Sequence, residues 1–282
     1  MQGHYRLANG TRLHYLEWGR ADAPAVVLLH GASGFCHDWD LVGVDLEDRF
    51  RCVAPDIPGY GDSDWPGVGD PDGEGEVVAA LMGEVGIEAA HLVGHSRSGR
   101  VATAIAARYP EMALSLTFVD ASPDPPISIP PRPLGPFSSF AEALEQFGPH
   151  YPALDGAALR ERVERYLKRG ADGQWLVKRD LSTREVPRSD YWALLAQVRC
   201  PVLVVWASEP HVLAESVERM QQMVVGLRVV RLDCRHNVPA DRPHELAQAI
   251  GEFAGARPVI DRPDGRAYIP CSERVHRERS GA

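Results

Sequence analysis

His91-Leu92-Val93-Gly94-His95-Ser96-Arg97-Ser98-Gly99 is an apolar run that gives way within a few residues to the helical pattern of Ser98–Arg108. His91–Val93 reads as a buried strand, so the chain has to turn sharply between strand and helix. A turn of this kind with a nucleophile at its apex needs small residues two positions to either side. Gly94 and Ser98 hold those positions, and Gly99 follows. The usual residue at the second position is glycine; serine, which has no γ-branch, is a mild departure. Such a turn lifts Ser96 clear of the sheet and sets it over a helix N-terminus, where backbone N–H groups favour developing negative charge. The bland alternative is a glycine-rich turn with no chemistry, and two further segments weigh against it.

The first is His30-Gly31-Ala32-Ser33-Gly34, directly after the apolar run Ala25–Leu29. Acyl transfer needs two backbone N–H donors aimed at an oxyanion. Arg97, just after the candidate nucleophile, and Ala32, just after His30-Gly31, are the candidates. His30 itself can be read as satisfying backbone groups at a strand end. The second segment is Leu232-Asp233-Cys234-Arg235-His236-Asn237-Val238-Pro239, which runs into Asp241-Arg242-Pro243 and a helix. A histidine on the loop after the last strand can reach across the strand ends to Ser96 as a general base. A lone histidine is more often structural, but its place in chain order after the serine favours the catalytic reading.

Around these segments, apolar runs alternate with helical patterns. Strands are expected at Ala25–Leu29, Arg51–Ala54, His91–Val93, Leu116–Val119, Pro201–Val205 and Leu227–Leu232. Helices are expected at Val77–Val85, Ser98–Arg108, Val212–Met223 and Pro243–Phe253. This alternation predicts an α/β fold with a mostly parallel sheet and helices on both faces. Asn9-Gly10, between Tyr5–Leu7 and Leu13–Glu17, predicts a hairpin and an antiparallel edge. The rhythm breaks from 123 to 190. A proline-rich stretch (Pro123, Pro125, Pro126, Pro130, Pro131, Pro133, Pro136) precedes helical patterns at Phe140–Phe147 and Ala157–Arg169. The expected division is a core of 1–122 and 191–256, a mainly helical cap at 123–190, and a polar tail at 257–282.

With these segments in place, the chain from about Tyr5 to Phe253 resembles the α/β-hydrolase superfamily, including the loop Pro55-Asp56-Ile57-Pro58-Gly59-Tyr60-Gly61-Asp62-Ser63. That loop lacks the spacing of a phosphate cradle, and the resemblance implies a structural role for it. The resemblance also implies a cap insertion and a triad in the order serine, acid, histidine. Most members carry an aspartate after the strand that here is Val202–Trp206. This chain instead has Ala207-Ser208-Glu209-Pro210-His211-Val212-Leu213, with Pro210 or His211 at the acid position. Glu209 is one substitute. Asp120, at the end of the preceding core strand, is the other and is preferred, although an aspartate there is often only a loop or capping residue. Phe35-Cys36-His37-Asp38-Trp39 loosely resembles the matching segment of cofactor-free dioxygenases built on this fold.

The 282 residues, 44% apolar, suffice for a full core, and the net charge of −9 with no basic block argues against nucleic-acid binding. Met1–Arg6 has no signal-peptide character, and no apolar window approaches membrane-helix length. Five scattered cysteines (Cys36, Cys52, Cys200, Cys234, Cys271) form no C-x-x-C pair, so free thiols in a cytoplasm are expected. A nucleophilic cysteine would sit at the elbow, which holds a serine. No tight ligand set suggests a metal, and no cofactor is implied. Lysine occurs only at Lys168 and Lys178 among many arginines, which points to a bacterium with a GC-rich genome.

The expected activity is hydrolysis of an ester, thioester or lactone bond in a small, largely apolar molecule through an acyl-enzyme. Phe137, Phe140, Trp175 and Trp192 are candidate substrate contacts, with cap core as the alternative for each. Two rival readings remain open. One is a lyase, cyclase or cofactor-free oxygenase using Ser96 and His236 for proton transfer; the other is a non-catalytic small-ligand binder.

Overall fold

The computed structural model describes residues 2–32, 34–65, 68–124, 135–181, 184–185 and 188–256. The expected tail, 257–282, lies outside these residues, as do 125–134 of the proline-rich stretch.

An eight-stranded sheet carries the fold. Its strands are β1 (Gln2–Ala8), β2 (Thr11–Trp18), β3 (Ala25–Leu29), β4 (Arg51–Pro55), β5 (Ala90–His95), β6 (Ala113–Val119), β7 (Val202–Glu209) and β8 (Arg228–Arg235). They lie in the order β1-β2-β4-β3-β5-β6-β7-β8. Only β2 runs against its neighbours, pairing antiparallel with both β1 and β4; the pairs from β4 through β8 are parallel. The Asn9-Gly10 turn joins β1 to β2 with positive φ at both residues, 49° and 79°, as a two-residue hairpin turn requires.

The helices are α1 (Asp40–Leu46), α2 (Pro71–Glu84), α3 (Ser98–Arg108), α4 (Phe140–Phe147), α5 (Gly156–Tyr166), α6 (Tyr191–Leu195), α7 (Ala214–Met223), α8 (Val238–Asp241) and α9 (Pro243–Gly255). Why the sheet is covered on both faces is visible in β3, whose five residues are all buried. Ala25, Val27 and Leu29 pack with Leu81 of α2 and Val101 of α3. Val26 and Leu28 pack on the opposite face with Val42 of α1 and Ile250 of α9. A strand with both alternating sets buried can only be central and sandwiched.

Helix bounds moved where the sequence pattern was locally masked. α2 starts at Pro71, six residues before the apolar pattern, because Asp70 caps it by accepting the N–H groups of Asp72 and Gly73. Gly73 and Gly75 hide this first part from a hydrophobicity reading. α5 ends at Tyr166, and the expected continuation instead forms a strand, Leu167–Arg169, paired antiparallel with Trp175–Val177.

Between β6 and α6, the described residues build their own apolar cluster. It contains Phe137, Phe147, Tyr151, Val163, Tyr166 and Val177, and it takes in Phe35 from the loop after β3. Tyr191–Leu195 belongs elsewhere, since Trp192 and Leu195 pack in the cluster of α2 and α3.

Candidate active site

Ser96 sits at the turn between β5 and α3 with φ +53°, a left-handed conformation that costs a non-glycine residue energy. The surroundings hold it there. Its N–H donates to the Val119 carbonyl at 3.0 Å, and its own carbonyl accepts the Gly99 N–H at 3.0 Å. A Cβ on Gly94 would run into the Ser98 carbonyl, and one on Gly99 would come within 2.7 Å of Ala121 Cβ. Both glycines are therefore obligatory for the close crossing. Ser98, which replaces the usual glycine, is buried and donates its hydroxyl hydrogen bond to the His30 carbonyl. The departure from the common pattern thus ties the helix start to the end of β3.

His236 follows β8 and turns its imidazole toward that apex. Its Nε2 lies 2.9 Å from Ser96 Oγ, and its Nδ1 lies 2.6 Å from Asp120 Oδ2. These partners assign the tautomer: Nδ1–H donates to the carboxylate, and Nε2 accepts from the serine hydroxyl. Asp120 ends β6 with φ +39° and is buried. Its Oδ2 also accepts the His211 N–H at 2.9 Å, and Oδ1 accepts the Ala207 N–H at 3.4 Å. Burial raises the Asp120 carboxyl above the ordinary aspartate range, while those N–H groups and the nearby histidines pull the other way.

Glu209, the other candidate acid, ends β7 exposed to solvent, with its backbone paired against Arg235. The chain reaches Asp120 instead, because β6 stops at the strand ends where the loop after β8 returns. Two histidines that the sequence did not single out also meet His236. His95 donates from Nε2 to the His236 carbonyl at 2.9 Å, and burial lowers its pKa to about 3, so it is neutral. The His211 ring stacks on the His236 ring with centroids 4.0 Å apart. The signal for His95 was its place inside the elbow motif; for His211 it was the missing aspartate.

Of the two residues expected to supply N–H donors, one adjoins Ser96 in the chain and the other follows a glycine packed against the elbow. Arg97 follows Ser96, and its side chain is turned away into a buried ion pair with Glu74 of α2, at 2.5 and 2.9 Å. Ala32 follows Gly31, where a Cβ would come within 3.2 Å of Ser96 Cβ and 2.9 Å of His95 Nδ1. Only glycine lets the loop after β3 approach so closely. His30 Nε2 accepts the Ile57 N–H at 3.0 Å, so His30 fixes backbone at the strand end.

The cleft beside Ser96 has mixed walls, with Arg97, Arg100, Ser122 and Asp124 joining His211 and His236, and Ala121 and Val212 adding apolar surface. The four aromatic candidates do not line it. Phe137 and Phe147 pack with rings tilted by 56° in the cluster between β6 and α6, with Phe140 against Trp175 at 5.3 Å beside them. Trp192 reaches it indirectly, donating from Nε1 to Asp124 at 2.8 Å. The cysteines near the site hold their protons. Burial raises Cys36 well above the usual thiol range and Cys234 to about 11.

Among the described residues, His14, Cys36 and Asp56 bring three ligand-type atoms within 4.8 Å of one another. The Asp56 carboxylate there is already engaged. It accepts the N–H groups of Cys36 and Asp62, at 2.7 and 3.0 Å, and the His14 ring at 2.8 Å. This arrangement braces the loop after β4, in keeping with the structural role expected of that loop.

A family model described as the alpha/beta hydrolase family matches residues 26–249. An esterase of Mycobacterium tuberculosis is 27% identical over 252 residues, covering 83% of this chain and 84% of the esterase. A 2-hydroxy-6-oxononadienedioate/2-hydroxy-6-oxononatrienedioate hydrolase of Paraburkholderia phymatum is 28% identical, covering 79% and 81%. Among solved structures, a thioesterase domain from the curacin biosynthetic pathway superposes with a TM-score of 0.77 at 22% identity, covering 89% of this chain and 99% of that one.

Proposed function

This chain belongs to the α/β-hydrolase family, and from that premise we propose that it is a serine hydrolase acting on an ester, thioester or lactone bond of a small molecule. The observation that carries the reading is the continuous relay from Ser96 Oγ to His236 Nε2 at 2.9 Å and from His236 Nδ1 to Asp120 Oδ2 at 2.6 Å. In the proposed cycle, Ser96 Oγ attacks the carbonyl carbon while His236 Nε2 takes its proton. The oxyanion is met by the N–H groups of Ala32 and Arg97. The His236 imidazolium protonates the leaving oxygen or sulfur, leaving an acyl-Ser96 ester. His236 then takes a proton from water, the hydroxide attacks that ester, and Ser96 recovers its proton as the acid departs. Asp120 keeps Nδ1 protonated and the ring aligned throughout.

In this reading Asp120 rather than Glu209 serves as the acid, because His236 Nδ1 lies 2.6 Å from Asp120 Oδ2. The mixed walls of the cleft suit a substrate that carries both polar and apolar groups near the scissile bond. We propose further that 123–190 forms a cap over the cleft. What supports this is its separate apolar cluster and the two arginines of α5, Arg162 and Arg165, which pair with Asp38 and Asp40 beside the loop after β3. The expected bacterial cytoplasm also stays a proposal. It is supported by the free cysteines at Cys36, Cys52, Cys200 and Cys234, and no helix among the described residues is long and apolar enough to cross a membrane.

A panel of small acyl esters, thioesters and lactones tests the reading. Turnover by the natural chain and its loss, by on the order of a million-fold, in Ser96→Ala are expected. Equal turnover in the two proteins would reject it.

A further inference from the structure

The loop after β7 departs from the family at Glu209-Pro210-His211, and the structure shows what stands where an acid is usually found. The His211 ring lies almost parallel to the His236 ring, with centroids 4.0 Å apart and planes inclined by 23°. Its main-chain N–H donates at 2.9 Å to Asp120 Oδ2, the same oxygen that accepts from His236 Nδ1 at 2.6 Å. One residue therefore touches both members of the histidine–carboxylate pair, one through its backbone and the other through the face of its ring.

We infer that His211 is a positioning residue that holds the His236 imidazole in plane, so that Nε2 stays aimed at Ser96. The inference rests on the hydrolase reading only for its effect on rate. The hydrogen bonds at Nδ1 and Nε2 lie at the two ends of the imidazole and resist rolling about the line between them only weakly, and the His95 ring, with centroids 5.0 Å apart and planes inclined by 37°, offers no parallel face against that motion. Each such tilt turns Nε2 away from the serine oxygen, which it must meet over 2.9 Å. A flat ring stacked at 4.0 Å blocks that motion on the covered side, because tilting drives the two rings into van der Waals overlap. The backbone bond to Oδ2 adds to this by fixing the oxygen about which the tilt would occur. In a chain whose acid comes from β6 rather than β7, the vacated loop position thus supports the ring instead of charging it. The function needs a flat side chain at residue 211 and does not need that side chain to titrate.

Two substitutions in the full chain separate shape from bulk structure, because the backbone N–H of residue 211 survives both. His211→Ala removes the stacking face, and His211→Phe restores a flat ring. The first readout is hydrolysis of p-nitrophenyl butyrate. The Ala variant should lose kcat by about tenfold or more, with KM changed less than about twofold, because a ring misplaced by a fraction of an ångström slows chemistry rather than binding. The Phe variant should return to within about threefold of the natural kcat. The second readout is the downfield proton resonance of the His236 Nδ1–H, which needs no turnover. It should be sharp in the natural chain and in the Phe variant, and broadened or lost in the Ala variant as the bond to Asp120 opens to water. Natural kcat and a sharp resonance in the Ala variant would overturn the inference, and so would a Phe variant as impaired as the Ala variant. If the natural chain turns over no ester, thioester or lactone of the panel, the hydrolase reading fails, and the resonance alone still decides the role of His211.

Discussion

Asp120 Oδ2 accepts two hydrogen bonds, from His236 Nδ1 at 2.6 Å and from the His211 N–H at 2.9 Å, while Glu209 is exposed at the end of β7. The difference in burial sets the expected outcome of a paired substitution. Asp120→Asn keeps the shape but offers Nδ1 no anionic acceptor and favours the wrong tautomer, so kcat should fall by on the order of 10⁴. Glu209→Gln should leave kcat within about twofold. Ester hydrolysis at saturating substrate compares the two, and the reverse ranking would place the acid at Glu209. At this scale the sequence singled out Ser96, His236 and Asp120, three residues that the structure brings within hydrogen-bonding distance. It placed His95 in the elbow motif and His211 at the vacant acid position but not against His236, because that contact depends on where three separate loops meet, and no spacing in the chain encodes that meeting.

The turn from β5 into α3 is held by steric exclusion more than by attraction. A Cβ on Gly94 meets main-chain carbonyl oxygen, which cannot move aside, whereas Ser98 contributes one hydrogen bond to the His30 carbonyl. Gly94→Ala should therefore be much the more damaging change, lowering stability by several kcal/mol or preventing folding. Ser98→Ala should cost about 1–2 kcal/mol by leaving a buried carbonyl unpaired. Urea titrations of both variants test the ranking. The same strand carries His91, bound to Ser115 Oγ of β6 at 2.8 Å, which burial lowers to about 4, and His95, lowered to about 3. A histidine whose folded pKa lies below its unfolded value of about 6.5 adds stability above that value, and the stability drains away as pH falls toward the folded pKa. Between pH 7 and pH 5 each should cost close to 2 kcal/mol of unfolding free energy. Urea midpoints should show this decline, and His91→Gln should remove about half of it. A flat profile would contradict the buried neutral state. At the element scale the strand-helix alternation was legible because apolar runs and turn residues coincide. The start of α2 was not, since its first turns are set by the Asp70 cap and glycines rather than by apolar spacing.

Across the whole molecule, the cluster between β6 and α6 is fastened to the core by charge as well as by apolar contact. Arg162 of α5 is held between the Asp38 carboxylate and Tyr151, with its guanidinium 4.3 Å from the Tyr151 ring centre. Asp38 lies four residues past Gly34, so this buried pair also borders the loop that carries Ala32. Arg162→Met strands a buried carboxylate and should cost about 3–5 kcal/mol, and adding Asp38→Asn should recover part of that loss. Urea denaturation of the single and double variants reads the coupling. The sequence marked 123–190 as a break in rhythm through its prolines and helical patterns. It gave no hint of the fastening, because Asp38 and Arg162 are 124 residues apart and look like ordinary surface charges in isolation. The aromatic residues of this segment suggested a lining for the cleft, yet their spacing suits a small core equally well, and Phe137 and Phe147 pack in one. The central claim is that Ser96 is a nucleophile activated by His236. Treating the intact chain with a fluorophosphonate and weighing it before and after peptide mapping tests this most directly. One phosphonyl group per chain is expected, located on Ser96, with labelling abolished in Ser96→Ala and strongly slowed in His236→Ala. An unlabelled natural chain, or a label on any other residue, would contradict it.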